Sequence, residues 1–148
     1  MCVSNEILVG PVPLPNRVLL APISGVTDAP FRRMASDLGA GLVISEITAC
    51  AALAEGKRIA RKRAEAHGSG PHVVQLAGCE ARWMAEGARI AEGLGADIVD
   101  INMGCPAKKV CNTMAGSALL KDEPLVGQIL ESVVKAVDVP VTLKFRTG

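Results

Sequence analysis

The stretch "HVVQLAGCEARWMAEGARIAEGLGADIVDIN", residues 72–102, decides the fold. It opens on a β-rich apolar run, "HVVQLAG" (72–78), and closes on a second, "DIVDIN" (97–102). Between them Trp83, Met84, Gly87, Ile90 and Leu94 recur at helical spacing, and Gly95 stands where a helix would end. Two apolar strands with a helix between them form a βαβ unit, and βαβ units build a parallel sheet buried on both faces.

The alternation continues outward. Upstream lie the β-rich runs "RVLLAP" (17–22) and "GLVISE" (41–46), and downstream lies "VPVTLKF" (139–145). In "DAPFRRMASDLGA" (28–40), Phe31, Met34, Ala35 and Leu38 predict one buried helical face, with Asp28 as its N-cap. "DEPLVGQILESVVKAV" (122–137) predicts another helix, with Pro124 in the first turn, where a missing N–H costs little. The segment "TACAALAEGKRIARKRAEAHGSG" (48–70) reads as helix followed by a Gly-rich loop. Four βα units and a fifth strand are laid out before the chain stops at "RTG", with no helix to cover that strand. A complete doubly wound domain should end on a helix. The expected fold is therefore α/β, a (β/α)8 TIM barrel, with residues 1–148 supplying its first five strands or so.

Bulk properties narrow the setting. A chain of 148 residues, 49% hydrophobic, is long enough to bury a core. A net charge of +1 shows no overall excess of the kind that advertises a nucleic-acid or membrane binder. No uncharged apolar run is long enough to span a bilayer, and "MCVSNEILVG" lacks the basic-then-apolar order of an export signal. The five cysteines (2, 50, 79, 105 and 111) are odd in number and lack CxxC spacing. Free thiols in a reducing cytoplasm are the expectation, with no zinc site. His67 and His72 are isolated, so no metal is predicted, and nothing suggests a stable protein partner.

Polar residues gather where the strands end. Pro22 and Ser24 follow the first strand, Glu46 ends the second, and Gln75 sits late in the third. Asn102 ends the fourth with Cys105 just beyond, and Lys144 and Arg146 end the fifth. Carboxyl ends of parallel strands are where α/β proteins build sites. Any one of these, Gln75 for example, could be a satisfied structural amide. Lys144 is different, because an ammonium buried in an apolar strand needs an anionic partner. Cysteine is usually a small buried hydrophobe, and Cys2, Cys50 and Cys79 are read so. Cys105 stands between Gly104, which lets the backbone turn, and Pro106, which stiffens the exit, so its loop can hold a side chain in position. Cys111 reads as structural.

No G-x-G-x-x-G follows the first strand and no Walker sequence occurs, which disfavours a Rossmann nicotinamide site. Backbone at "APIS", an amide at Gln75 and a cation at Lys144 suit a polar, electron-accepting ring such as a flavin.

Four stretches together, "LAPISGVTDAPFRRM", "VQLAG", "DINMGCPAKKVCNTMAGSALL" and "LKFRTG", resemble the tRNA-dihydrouridine synthases, most of all their bacterial B-type subgroup. The resemblance runs over nearly the whole chain. It implies an FMN-binding TIM barrel, reduced by NADPH, that saturates the C5–C6 bond of uridines in tRNA. By motif position it implies FMN contacts from Pro22, Ile23 and Ser24, with Gln75 at the flavin's pyrimidine edge and Lys144 near the ring. It makes Cys105 the proton donor and turns Asn102 and Arg146 toward flavin or uracil. Ile23 stands where the family usually has methionine, an apolar exchange that such a contact tolerates. Family members are about twice as long, so the resemblance also implies that the later strands, the main phosphate-binding loops and a helical tRNA-binding domain lie outside residues 1–148.

That chemistry suits a thiol. An ordinary cysteine titrates at about 8.5 and stays mostly protonated at neutral pH, so it can serve as an acid without special tuning. Aromatic residues are only 2%, so the flavin would supply the stacking surface for an extruded base. Lys108 and Lys109 can reach RNA phosphate, whereas Lys57, Arg58, Arg61, Lys62 and Arg63 read as a solvated helix face. Two alternatives remain open at this point. One is another FMN barrel oxidoreductase acting on a free pyrimidine or enone; the other is a non-catalytic truncated or regulatory product.

Overall fold

A computed structural model describes residues 7–66, 68 and 70–147; Cys2 and His67 lie outside the described residues. The chain opens with a hairpin, β1 (Ile7–Val9) and β2 (Val12–Leu14), paired antiparallel. Then come β3 (Leu19–Leu20), α1 (Ala29–Asp37), β4 (Leu42–Val43), β5 (Thr48–Ala49), α2 (Cys50–Ala54) and α3 (Arg58–Arg63). The second half holds β6 (Val73–Ala77), α4 (Ala81–Gly93), β7 (Ile98–Met103), α5 (Lys108–Cys111), a 3-10 turn (Gly116–Lys121), α6 (Glu123–Val134) and β8 (Val141–Phe145).

After the hairpin every strand pairing is parallel and follows chain order. β3 pairs β4, an Ile44–Val73 bridge joins the second strand to β6, and β5–β6–β7–β8 follow in order. A doubly wound sheet reverses its order at a switch point. Among the described residues this one never does, so it is the wall of a partial (β/α)8 barrel. The second strand is broken into β4 and β5, and Ser45 between them donates its N–H to the Val73 carbonyl.

Alternation sorts the sheet's two faces. Val74, Leu76, Val99, Ile101 and Met103 point outward and pack with Met84, Ala88 and Ala91 of α4 and Ile129 and Val133 of α6 in one core. α2 approaches α4 on Gly87, where an added Cβ would lie 2.9 Å from Cys50 Sγ. On the opposite face, Val73 and Ile98 are covered by the hairpin through Leu14, with Ile7, Val9 and Val12 alongside. The hairpin, which periodicity did not reveal, caps the amino end of the inner face. That leaves Gln75, Asp100, Asn102, Thr142 and Lys144 for the carboxyl end.

Asp28 caps α1 as expected, accepting from Phe31 N–H. Pro124 lies in the first turn of α6 as expected, and Asp122, which the sequence reading did not single out, caps that helix by accepting from Leu125 N–H. Two expectations fail. The 48–70 helix is two short helices parted by a turn in which Gly56 has φ 70. The predicted apolar face of α1 is also not buried: Met34 is exposed and Leu38 is 83% exposed, while Arg32 is covered. α1 packs against β4, and among the described residues β3 pairs with β4 alone, which leaves it an outer strand. Arg32 turns inward because its guanidinium finds the carbonyls of Thr27 (3.2 Å) and Glu65 (2.6 Å). Among the described residues no helix is long and apolar enough to cross a membrane.

Candidate active site

Strand ends and the loops that leave them enclose a cleft of about 550 Å³, bordered by Ser24, Ala49, Gly78, Cys79, Cys105 and Val110. The Cys105 backbone is held on both sides. Its N–H donates to Asn102 Oδ1 (3.1 Å), and its carbonyl accepts from Ser117 N–H (3.0 Å) and Cys111 Sγ (3.4 Å). Arg146 Nε donates to the preceding carbonyl, Gly104 O, at 2.8 Å. Gly116, at φ 63, sits so close that a Cβ there would lie 2.6 Å from Cys105 O. The thiol is thus carried on a loop whose backbone is bonded on both sides, and it remains half-buried at the edge of the cleft.

Behind the loop runs a line of hydrogen bonds across three strands, buried at its centre and half-buried at its ends. The β6–β7–β8 register sets Gln75, Asp100 and Thr142 side by side. Asp100 accepts from Thr142 Oγ1 (2.6 Å) and from Gln75 Nε2 (2.6 Å). Gln75 Oε1 accepts from Asn102 Nδ2 (2.9 Å), and Asn102 Oδ1 takes the Cys105 N–H. Burial raises the Asp100 carboxyl above the ordinary range, opposed by the bonds from Thr142 and Gln75 and by the charge of Lys144.

The predicted site residues fall into distinct layers. Ile23 and Ser24 are exposed and Pro22 half-buried, on a turn fixed by Thr27, whose hydroxyl donates to Ile23 O and accepts from Ile23 N–H. Gly25 N–H donates to the Glu46 carboxylate, whose other oxygen lies 3.8 Å from Arg63. Gln75 is 0% exposed with both amide ends engaged, one layer beneath the surface, and Asn102 is nearly as buried. Lys144 corrects the expectation of a buried ammonium. β8 is an outer strand, so the residue is exposed, and among the described residues it makes no ion pair. Its register with Asn102 puts it on the inner face, free to meet an anion.

Elsewhere Cys50 is wholly buried, and burial pushes its thiol up to about 12, as suits a core residue. Cys79, read as buried, is only half so and borders the cleft. Lys108 and Lys109 are exposed beside the Cys105 loop, and Arg58, Arg61 and Lys62 form a solvated stripe. Asp100, Thr142, Ser117 and Gly116 escaped the sequence reading. Only Asp100 left a signal there, as a carboxylate inside an otherwise apolar strand.

A sequentially ordered parallel barrel wall, with a braced thiol and a lysine unpaired among the described residues at its carboxyl rim, defines the class: a β/α-barrel protein with a candidate site at the strand ends. A family profile described as Dihydrouridine synthase (Dus) matches residues 19–148. The chain belongs to the dihydrouridine synthase family. It is 54% identical over 145 residues to "tRNA-dihydrouridine synthase B" of Pseudomonas aeruginosa, covering 97% of this chain and 44% of that protein. It is 56% identical over 133 residues to "Probable tRNA-dihydrouridine synthase" of Rhizobium leguminosarum bv. phaseoli, covering 90% and 42%. The chain thus spans less than half the length of these relatives. Among solved structures, histamine dehydrogenase from Rhizobium sp. 4-9 superposes with a TM-score of 0.62 at 15% identity, over 96% of this chain and 33% of that one, a likeness of fold alone.

Proposed function

We propose that residues 1–148 are the N-terminal part of a (β/α)8-barrel enzyme that reduces the C5–C6 bond of uridine in tRNA to 5,6-dihydrouridine, with FMN as cofactor and NADPH as reductant. The rest of the barrel and a helical tRNA-binding domain would complete the protein, working in the cytoplasm. The observation that carries this reading is the bracing of Cys105 within a segment that the family profile matches.

The donor set suits a flavin. Lys144 offers an unpaired cation on the inner face, and the turn at Pro22, Ile23 and Ser24 offers exposed backbone at the rim. A positive charge beside a reduced flavin favours its anion. Gln75, 0% exposed beneath the surface, would meet the ring's pyrimidine edge only once uncovered. When bound, FMN would supply hydride chemistry directed at C6. Cys105 delivers the proton to C5 from the other side of the base, and its thiolate regains a proton from solvent, so the uracil gains one hydride and one proton. Asn102 and Arg146 act on the base chiefly by fixing the loop that carries the thiol. Lys108 and Lys109 lie where they can meet tRNA phosphate.

Cys105→Ala in the full-length protein is the test. FMN binding and flavin reduction by NADPH should persist, since neither needs the thiol. Flavin reoxidation by tRNA should fall roughly 10²–10⁴-fold, the range for a lost general acid. Cys111→Ala should cost far less. Normal reoxidation in Cys105→Ala would end the assignment.

A further inference from the structure

The buried line from Asp100 to Cys105 has a direction. A carboxylate only accepts hydrogen bonds and a backbone N–H only donates. With Asp100 at one end and the Cys105 N–H at the other, the two amides between them can run only one way. Gln75 must turn its nitrogen to Asp100 and its oxygen to Asn102, and Asn102 must then turn its oxygen to Cys105. These are the contacts observed, at 2.6, 2.9 and 3.1 Å. If Gln75 were reversed, Asn102 would have to reverse as well, and its amino group would face the Cys105 N–H, donor against donor. Asn102 is only 5% exposed, so that clash would leave its amino group unpaired in a buried place.

We infer that Asp100 is a positioning residue for the Cys105 loop: by accepting from Gln75 it sets the direction of both amides, so that Asn102 grips the backbone N–H of Cys105. Thr142 occupies the other oxygen of Asp100 and keeps the carboxylate aimed along the line. The inference rests on the reading of Cys105 as proton donor for its effect on turnover, but the grip on the loop stands apart from that reading.

Two substitutions separate direction from charge. Asp100→Asn can still accept from Gln75 with its oxygen while its amino group donates to Thr142 Oγ1, so the direction survives without the charge. Asp100→Ala removes the anchor. The FMN-loaded full-length protein is to be followed by hydrogen exchange of a peptide spanning residues 103–107, and separately by flavin reoxidation with tRNA. Asp100→Ala should speed exchange at the Cys105 amide about tenfold, as befits the loss of one hydrogen bond's worth of protection. Reoxidation should slow by a similar factor, and Asp100→Asn should restore both to near the parent values. Should Asp100→Ala fail to fold, Thr142→Val should shift exchange the same way by a smaller factor.

Unchanged exchange in Asp100→Ala, or in Thr142→Val where that variant stands in, overturns the inference. So does an Asp100→Asn variant as impaired as Asp100→Ala, which would make the role one of charge. Faster exchange with normal reoxidation, in a protein where Cys105→Ala also reoxidises normally, would instead leave the grip intact and overturn the proton-donor reading.

Discussion

The centre of the sheet and its outer strands are built from similar sequence and have opposite fates. "DIVDIN" supplies all of β7 but its last residue, and from Ile98 to Met103 every residue is buried, sandwiched between α4 and α6 outside and the hairpin and polar line inside. "RVLLAP" is as apolar, yet Val18 and Leu19 are exposed, together with Met34 and Leu38 of the adjoining α1. At the opposite edge Phe145 of β8 and Val134 of α6 are exposed too. What differs is the number of neighbours, not the residue types. Apolar side chains contribute stability only where another element removes them from water.

Cavity substitutions probe the contrast most strongly. Ile101→Ala in the centre should cost about 2–5 kcal/mol in denaturant unfolding. Leu38→Ala at the edge should stay within about 0.5 kcal/mol, as exposed positions do. Equal losses would mean that the edge is covered in solution.

Gly116 belongs with the centre despite lying in a loop. Gly116→Ala should cost about 1–3 kcal/mol, since it combines a left-handed φ with a Cβ driven onto Cys105 O. The same variant should slow flavin reoxidation by tRNA in the full-length protein. A thermal melt matching the parent would show that the loop can shift aside.

Edge chemistry should appear as self-association rather than unfolding. Two outer strands with apolar flanks make the 148-residue chain prone to aggregate or pair through them. Sedimentation of Leu19→Lys and Phe145→Lys variants should show a shift toward monomer. A monodisperse parent chain would remove the premise.

The smallest effect concerns His72, buried at the amino end of β6 with Nδ1 3.2 Å from the Gly95 carbonyl oxygen. Burial lowers its pKa, opposed by that carbonyl and by Asp97, while the charge of Arg32 lowers it further. An unfolded-chain histidine titrates near 6.5, so as pH falls below that value the unfolded state takes up a proton that the folded state resists. Stability is therefore full above this pH and declines below it. Urea midpoints of His72→Phe should lose part of that decline; an unchanged profile would place its cause elsewhere.

Local sequence determined a good deal of this protein. Periodicity gave the parallel strands and the main helices, capping chemistry gave the start of α1, Pro124 marked the first turn of α6, and the Gly-Cys-Pro loop after an apolar strand marked Cys105 as the thiol to watch. These are properties of neighbouring residues, set by steric and hydrogen-bonding rules that act over a few positions. Tertiary structure decided the remainder. Gln75, Asp100 and Thr142 come from strands 25 and 42 residues apart, and only the sheet register aligns them into one line. Whether Lys144 is buried or exposed depends on what stands beside β8, and whether Leu38 is core or surface depends on what stands beside α1. Burial and long-range hydrogen bonding are relations between elements, and no window of residues contains them.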